Sequence, residues 1–207
     1  MKRLIVLIIT IFLGVAAKGQ VTSSMMLMYS PFGDNGVIAS ESTGIGENHI
    51  GYGYIEMGDW RGHSFGAYGQ FFWEQRWWDL PVFLHAEYRA AAGLSFFEST
   101  AYLGGAYCFY SQHGYLAIEP LAMWRQRGGF GGQLSIVGGW EWKHFQIETF
   151  NDLWKTHLTN VPAEFYSQTR LFVKITDKLA LGIIGTLDYP FEGTPDADAM
   201  ITLRWRL

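Results

Sequence analysis

Apolar and ionised residues share short stretches of this chain, but they occupy alternate positions. Between His63 and Trp78, one set of alternate positions is mainly apolar and the other is mainly polar. The apolar set is Phe65, Ala67, Phe71, Trp73 and Trp77, and the polar set is Ser64, Tyr68, Gln70, Glu74 and Arg76. Successive side chains of a β-strand point to opposite faces, so the pattern predicts a strand with one apolar and one polar face.

The same two-faced alternation recurs to the C-terminus. It is clear in segments 82–90, 115–126, 133–143, 163–175 and 201–207, and weaker in 49–57, 100–111, 145–154 and 179–189. With residues 21–29, this makes about eleven segments, and the stretches 31–48 and 190–197 are interpreted as longer loops. Outer-membrane barrels have an even number of strands, so one strand is expected to be missing from this count, before residue 80.

Two architectures fit a period-two pattern. A soluble lipocalin-type barrel has its apolar face inside, whereas a membrane barrel turns that face to lipid. Charged residues make up only 16% of the chain, against about 25% in ordinary soluble domains. Tryptophans expected near strand ends, as in interfacial girdles, are Trp60, Trp77, Trp78, Trp142, Trp154 and Trp205. The sequence therefore favours an all-β, transmembrane, antiparallel up-and-down barrel of about 12 strands, within a range of 10–12.

The N-terminus has the pattern of a secretory signal. Lys2 and Arg3 precede an apolar run over residues 4–13, and small residues follow up to Gly19. Ten apolar residues are fewer than the roughly 20 needed to span a bilayer, which makes a retained anchor the weaker alternative. We expect residues 1–19 to be a signal peptide and 20–207 one outer-membrane barrel domain. Cleavage there removes three basic residues, and the resulting acidity argues against a nucleic-acid partner.

Three stretches carry a resemblance to a known family. They are YIEMGDWRG (54–62), WWDLPVFLHAEYR (77–89) and AYLGGAYCFY (101–110). They resemble uncharacterised bacterial outer-membrane proteins grouped with the nucleoside-specific channel-forming (Tsx-like) porins. The resemblance implies a narrow barrel of about twelve strands and a nucleoside-type solute. The chain departs from the family in a short Trp60–Trp78 interval and in ending with Leu207 rather than an aromatic residue.

The polar face supplies the candidate site, because in a membrane barrel it encloses the lumen. Its predicted lining residues are Glu74, Arg76, Phe83, His85, Glu87, Arg89, Glu119, Arg125, Glu141, Tyr166, Arg170 and Arg204. Tyr68 and Tyr115 lie on the same face, and such aromatic surfaces suit stacking of a nucleobase. Charges of both signs fit a solute pathway, and they equally fit cross-strand pairs that plug a narrow barrel.

The sequence predicts a non-enzymatic protein without a cofactor. His85, Glu87 and Arg89 share one strand face, but a histidine beside a glutamate is more often a hydrogen-bonded neighbour than a catalyst. No nucleophile elbow, phosphate loop or zinc-type Cys/His spacing appears, so no catalytic and no metal-binding residues are predicted.

Three functional hypotheses follow. The first is an outer-membrane channel for passive uptake of small polar solutes, with nucleosides as the suggested solute. The second is a plugged structural or adhesion barrel without transport. The third and weakest is a lipid-modifying enzyme, which would require a His–acid cluster that faces lipid. The expected partners are the outer-membrane bilayer, a small polar solute and the barrel-assembly machinery.

Overall fold

The computed structural model describes residues 20–31, 35–45, 48–60, 64–76, 80–93, 97–126, 128–156, 163–190 and 194–207. Twelve β-strands occupy nearly all of this described part. They are β1 (Gln20–Ser30), β2 (Asn35–Ile45), β3 (His49–Trp60), β4 (Ser64–Arg76), β5 (Val82–Gly93), β6 (Phe97–Tyr110), β7 (Gly114–Arg125), β8 (Gly129–Glu141), β9 (Phe145–Thr156), β10 (Glu164–Lys174), β11 (Leu179–Pro190) and β12 (Asp196–Arg206). The predicted signal segment, 1–19, lies outside the described residues. No helix within these ranges is long and apolar enough to cross a membrane.

The twelve strands form one closed antiparallel barrel. Each strand pairs with its neighbours in chain order, and β1 closes the ring by pairing with β12, where Leu27 aligns with Leu203. Closure leaves no strand edge unpaired, which is what a chain in lipid requires. The predicted fold class is confirmed. Because the strand number is even, Gln20 and Leu207 lie at the same end, called here the terminal end. The opposite end, where Ser30 and Arg125 finish their strands, is called the distal end.

The strand missing from the sequence count is β2. The stretch 31–48 was interpreted as a loop, and that interpretation is wrong, because Asn35–Ile45 pairs along its whole length with β1. The alternation here is weak: Val37 and Ala39 face inward, while the outward positions combine Ile38 with Ser40 and Ser42. Pairing with both neighbouring strands, which is a tertiary effect, makes this segment a strand.

The outer surface is apolar along continuous rows that cross several strands. One such row runs by direct pairing through Phe145, Val173, Leu181, Leu203, Leu27, Ile38 and Met57. All seven side chains are exposed, between 39% and 57%. A soluble protein rarely exposes an apolar surface of this extent, and a hydrocarbon environment removes it from water.

The inner surface carries the polar face, as β12 illustrates. Thr202 and Arg204 are 0% and 2% exposed, while their neighbours Leu203 and Trp205 are 39% and 51% exposed. This is the polarity of a membrane barrel and the reverse of a soluble lipocalin-type barrel, whose apolar residues face inward.

The tryptophans do not all occupy the predicted girdle. Trp142 and Trp205 are exposed on the outside, near the terminal end. The prediction was wrong for Trp154, which faces inward and packs against Tyr102, Leu121 and Met123. The physical reason is its even-numbered position on β9, which it shares with the inward residue Asp152. The side chains of Trp60, Trp77 and Trp78 lie outside the described part of the structure.

Candidate functional site

A cavity of about 690 Å³ occupies the distal part of the barrel interior. It extends from His85 and Glu119, in the middle of the barrel, to Glu98, Arg125 and Asp188 at the distal strand ends. Pockets for small molecules commonly measure about 300 to 1,000 Å³. The cavity is therefore large enough for a small solute.

Aromatic side chains form much of the cavity wall. Tyr52 and Phe72 stack with ring centroids 4.9 Å apart, and Phe72 in turn stacks on the imidazole of His85 at 5.3 Å. The guanidinium of Arg89 lies over the Tyr102 ring, 4.8 Å from its centroid. Since strands hold these rings on fixed backbone positions, the flat surfaces lie where a planar solute group can stack. Tyr68 and Tyr166 also line the cavity. Tyr115 is not part of the cavity lining and is 40% exposed near the start of β7, at the terminal end.

Four charged residues form a balanced group, called here the arginine cluster: Arg170, Arg204, Glu41 and Glu148. The two terminal nitrogens of Arg204 donate to the two carboxylate oxygens of Glu148 at 2.7 and 2.8 Å. Arg170 lies 3.3 Å from Glu41 and 3.4 Å from Glu148. Two guanidinium groups thus face two carboxylates, and bidentate pairing of this kind is among the stronger ionic contacts.

Aromatic rings hold the arginine cluster in place. The Arg204 guanidinium lies 3.7 Å from the centroid of the Phe172 ring, and Arg170 lies between the rings of Tyr54 and Phe150 at 5.3 and 4.9 Å. Cation–π contacts strengthen where water is excluded, and both arginines are at most 4% exposed. The cluster thus combines two positive and two negative charges, and both of its arginines are buried.

A second group, called here the His85 cluster, comprises Glu74, His85, Glu87, Glu119 and Arg89. His85 Nδ1 lies 3.0 Å from Glu74 Oε1, and Nε2 lies 3.2 Å from Glu87 Oε2. Arg89 donates to Glu87 and, across the barrel, to Asp152 at 2.6 Å. Carboxylates outnumber cationic groups here, and three of them approach one imidazole.

Beneath the cavity, toward the terminal end, a group of apolar residues packs together on one side of the interior. Phe83, Ala106, Cys108 and Ala117 are all buried and form one cluster, called here the packed layer, with Ile50 against it. The single cysteine is part of this packing. The packed layer lies between the cavity and the terminal end on the β5–β7 side of the barrel.

The twelve predicted lining residues occupy three levels of the barrel. His85, Glu87, Arg89, Glu119, Arg125, Tyr166 and Arg170 line the cavity. Glu74, Phe83 and Arg204 face inward but are buried below it, and Arg76 and Glu141 are exposed at the terminal end. Arg125 pairs with Glu98 at the distal end, while Glu141 pairs with Lys174 and Arg206. Contact of any of these residues with a solute stays a prediction.

Sequence reasoning missed several interior residues. Glu41 lay in the stretch interpreted as a loop, and Glu148 and Asp152 lay in segment 145–154, whose alternation was judged weak. The even positions of that segment are Gln146, Glu148, Phe150, Asp152 and Trp154. Three of these five residues are polar, which indicates that the even positions face inward. The pattern is recognised only if a tryptophan, Trp154, is accepted on the polar face.

The fold and the interior together define a class of protein. A closed barrel of twelve antiparallel strands, with an apolar exterior and a polar interior, has the architecture of an outer-membrane porin. Location in the outer membrane, as predicted, follows from this architecture.

Comparison with solved structures supports the same barrel architecture. The barrel is similar to the NanC porin, with a TM-score of 0.64, 8% identity, and coverage of 89% of this chain and 100% of that one. It is also similar to the KdgM porin in complex with disordered oligogalacturonate, with a TM-score of 0.57, 8% identity, and coverage of 89% and 98%. At such low identity the similarity concerns the fold alone. No family model and no curated protein matches the chain, so the relation to Tsx-like porins stays a prediction.

Proposed function

We propose that this protein is an outer-membrane channel for the passive uptake of small polar solutes. The observation that carries the proposal is the 690 Å³ cavity, which reaches the distal end and is lined by charged and aromatic side chains. Solutes entering such a cavity exchange water for hydrogen bonds with fixed polar groups, while ring surfaces accept their flat parts. The apolar exterior supports insertion in lipid.

The charge of the cavity indicates which solutes it favours. Among the described residues that line it, seven carboxylates face three guanidinium groups. The carboxylates belong to Glu56, Glu87, Glu98, Glu119, Asp152, Asp188 and Asp198, and the guanidinium groups to Arg89, Arg125 and Arg170. A lining with net negative charge concentrates cations and repels anions. We therefore infer neutral or cationic solutes.

Nucleosides fit this cavity both in their charge and in their chemical groups. They are uncharged, their ribose hydroxyls form hydrogen bonds, and a nucleobase stacks on aromatic side chains with about 1 to 3 kcal/mol per base. Tyr68, Tyr102 and Tyr166 lie in the cavity wall. Oligogalacturonate, present in the KdgM porin structure, is by contrast a polyanion, which the acidic lining of this barrel disfavours.

Planar-bilayer recording of the purified, refolded chain tests the channel. We expect discrete conductance steps, a reversal potential that indicates cation selectivity, and reduced current when millimolar uridine or adenosine is added. Tyr166→Ala is expected to weaken the nucleoside effect, whereas Tyr107→Ala, on the outer surface, is the matched control. Absence of conductance from correctly folded protein would contradict the proposal, and anion selectivity would contradict the inferred solute class.

A plugged structural barrel is the second candidate, and the packed layer favours it. Phe83 and its neighbours Ala106, Cys108 and Ala117 are at most 7% exposed, so they leave little room for water at that level. If the layer obstructs the pathway, the wild-type chain is silent in bilayers and Phe83→Ala raises its conductance. If the layer is only part of the wall, Phe83→Ala leaves the wild-type conductance unchanged.

A lipid-modifying enzyme is not supported by the position of its candidate residues. His85 and Glu87 are 1% and 5% exposed and belong to the interior face, away from the lipid-facing surface. A catalytic dyad acting on lipid needs access from the outer surface.

A further inference from the structure

The His85 cluster contains a carboxylate that no cation neutralises. Arg89 pairs with Glu87 and with Asp152, while Glu74 contacts only the imidazole of His85. Within the described part of the chain, Glu119 has no hydrogen bond and no ion pair, although it is only 6% exposed. Glu119 also borders the cavity, and a carboxylate largely shielded from water without a partner favours binding of a cation.

The donor atoms are already close enough for one metal ion. One oxygen of Glu74, one nitrogen of His85 and one oxygen of Glu119 all lie within 4.8 Å of one another, and all three residues are buried. Ligand atoms bound at about 2.0 to 2.2 Å from a common zinc ion are themselves roughly 3 to 3.5 Å apart. The 3.0 Å between Glu74 Oε1 and His85 Nδ1 matches that separation. The Glu119 oxygen lies within 4.8 Å of the other two donors and has to approach them by up to about 2 Å.

The opposite side of the imidazole is held as metal-bound histidines usually are. His85 Nε2 lies 3.2 Å from Glu87 Oε2, and Glu87 is fixed in turn by Gln70, whose amide nitrogen donates at 2.7 Å, and by Arg89. A carboxylate that accepts from the second ring nitrogen orients a ligating histidine and raises its basicity. This leaves Nδ1 directed at Glu74 and available to a cation.

The backbone brings the three donors together across four adjacent strands. Glu74 on β4 is directly paired with His85 on β5, and Glu119 is on β7. Gly104 on β6, the direct partner of His85, separates them without a side chain. A Cβ at Gly104 would lie 2.2 Å from the carbonyl oxygen of Pro120, so β6 and β7 approach closely here only because of glycine. The missing side chain leaves space for Glu119 to reach His85.

We propose that Glu74, His85 and Glu119 bind a divalent transition-metal cation of the Zn²⁺ type, with Glu87 as the positioning residue for the imidazole. One imidazole nitrogen and two carboxylate oxygens form a donor set suited to Zn²⁺ and its neighbours rather than to Ca²⁺ or Mg²⁺, which prefer oxygen alone. The bound cation supplies the positive charge that Glu74 and Glu119 lack. This proposal stands independently of conduction, because it concerns binding alone.

Metal binding to the full chain is the direct test. The protein, without a polyhistidine tag, is refolded in detergent, treated with a chelator and dialysed, and then titrated with Zn²⁺ by calorimetry and with Co²⁺ by visible absorption. We expect one Zn²⁺ per chain and Co²⁺ ligand-field bands that Zn²⁺ abolishes. Glu119→Gln and Glu74→Gln keep side-chain shape, and each is expected to weaken Zn²⁺ binding at least tenfold. Glu87→Gln is expected to weaken it about 10- to 100-fold while one equivalent still binds.

Surface histidines provide the matched control. His113 and His144 are exposed in turns at the terminal end, and the double variant His113→Ala/His144→Ala is expected to bind Zn²⁺ as the wild type does. Folding of each variant is checked by its heat-modifiable migration on gels. Equal affinity in the wild type and Glu119→Gln overturns the proposal, as does loss of binding in the surface-histidine variant. Absence of Co²⁺ bands in folded wild-type protein also overturns it and leaves a hydrogen-bonded histidine–carboxylate cluster without metal.

Discussion

The arginine cluster and the His85 cluster both lie inside the same barrel, yet they differ in charge balance. In the arginine cluster, two guanidinium groups meet two carboxylates, and Arg204 binds Glu148 in bidentate fashion. In the His85 cluster, Glu74, Glu87 and Glu119 approach one imidazole, and Arg89 is shared with a carboxylate from across the barrel. The balanced cluster is explained by stability of the interior, whereas the acidic one has the excess negative charge that the proposed metal cation would balance.

The two clusters nevertheless share one backbone feature. Each lies beside an inward-facing glycine: Gly182 on β11 is the direct partner of Phe172, whose ring contacts Arg204, and Gly104 on β6 is the direct partner of His85. A Cβ at Gly182 would lie 2.5 Å from a ring carbon of Phe172, where Arg204 stacks. Glycine in a strand interior marks a close approach of this kind. The charged side chains can therefore take these positions because the glycines beside them carry no side chain.

The largest effect is expected from removing an arginine from the balanced cluster. Arg204→Met keeps the aliphatic volume but leaves Arg170 alone to face both Glu148 and Glu41, and we expect a loss of about 3 to 5 kcal/mol in the free energy of unfolding. Urea unfolding in phospholipid vesicles, followed by tryptophan fluorescence, measures it. The matched control is Arg206→Met at the terminal end, where the side chain is 35% exposed, with an expected loss below about 1 kcal/mol. Equal losses in both variants would show that burial of the pair is irrelevant.

A moderate effect is expected from substituting the glycines that lie beside both clusters. Gly104→Ala and Gly182→Ala each add a Cβ within 2.4 Å of a carbonyl oxygen, of Pro120 and of Leu171 respectively. We expect each to lower the free energy of unfolding by about 1 to 3 kcal/mol through displaced strands. Gly185→Ala is the control, since nothing lies within 4 Å of its Cβ, and its effect should remain below about 0.5 kcal/mol. A wild-type value for either variant would refute the close approach.

The smallest expected effect is a change in the free energy of unfolding that has opposite signs in the two clusters. It separates the clusters most sharply. With a chelator present, Glu119→Gln removes an unpaired negative charge and is expected to stabilise the barrel by about 1 kcal/mol. The same substitution at Glu148 removes two charge-assisted hydrogen bonds to Arg204 and is expected to destabilise it. Unfolding of both variants in one urea series measures the difference. Two losses of similar size would mean that Glu119 is as well compensated as Glu148.

Alternation along the chain was sufficient to predict most of the barrel. The polar positions of β5, which include His85, Glu87 and Arg89, face inward because successive side chains point to opposite faces whatever the strand pairs with. The prediction failed where the two faces of a strand differ little in polarity. β2 has serines on its outer face, and Trp154 is a large apolar residue on an inner face. Only pairing with neighbouring strands assigns such positions, because their own chemistry is compatible with either face.

The sequence by itself determined which of two faces most side chains take, since the period of two is a property of the local backbone. Which inward side chains meet was decided by the tertiary structure alone. Arg204 reaches Glu148 across 56 positions, and Arg89 reaches Asp152 across 63. Such contacts depend on strand number, register and tilt summed around the closed ring, and none of these is encoded in one strand. The division of the interior into an open cavity and a packed layer has the same origin.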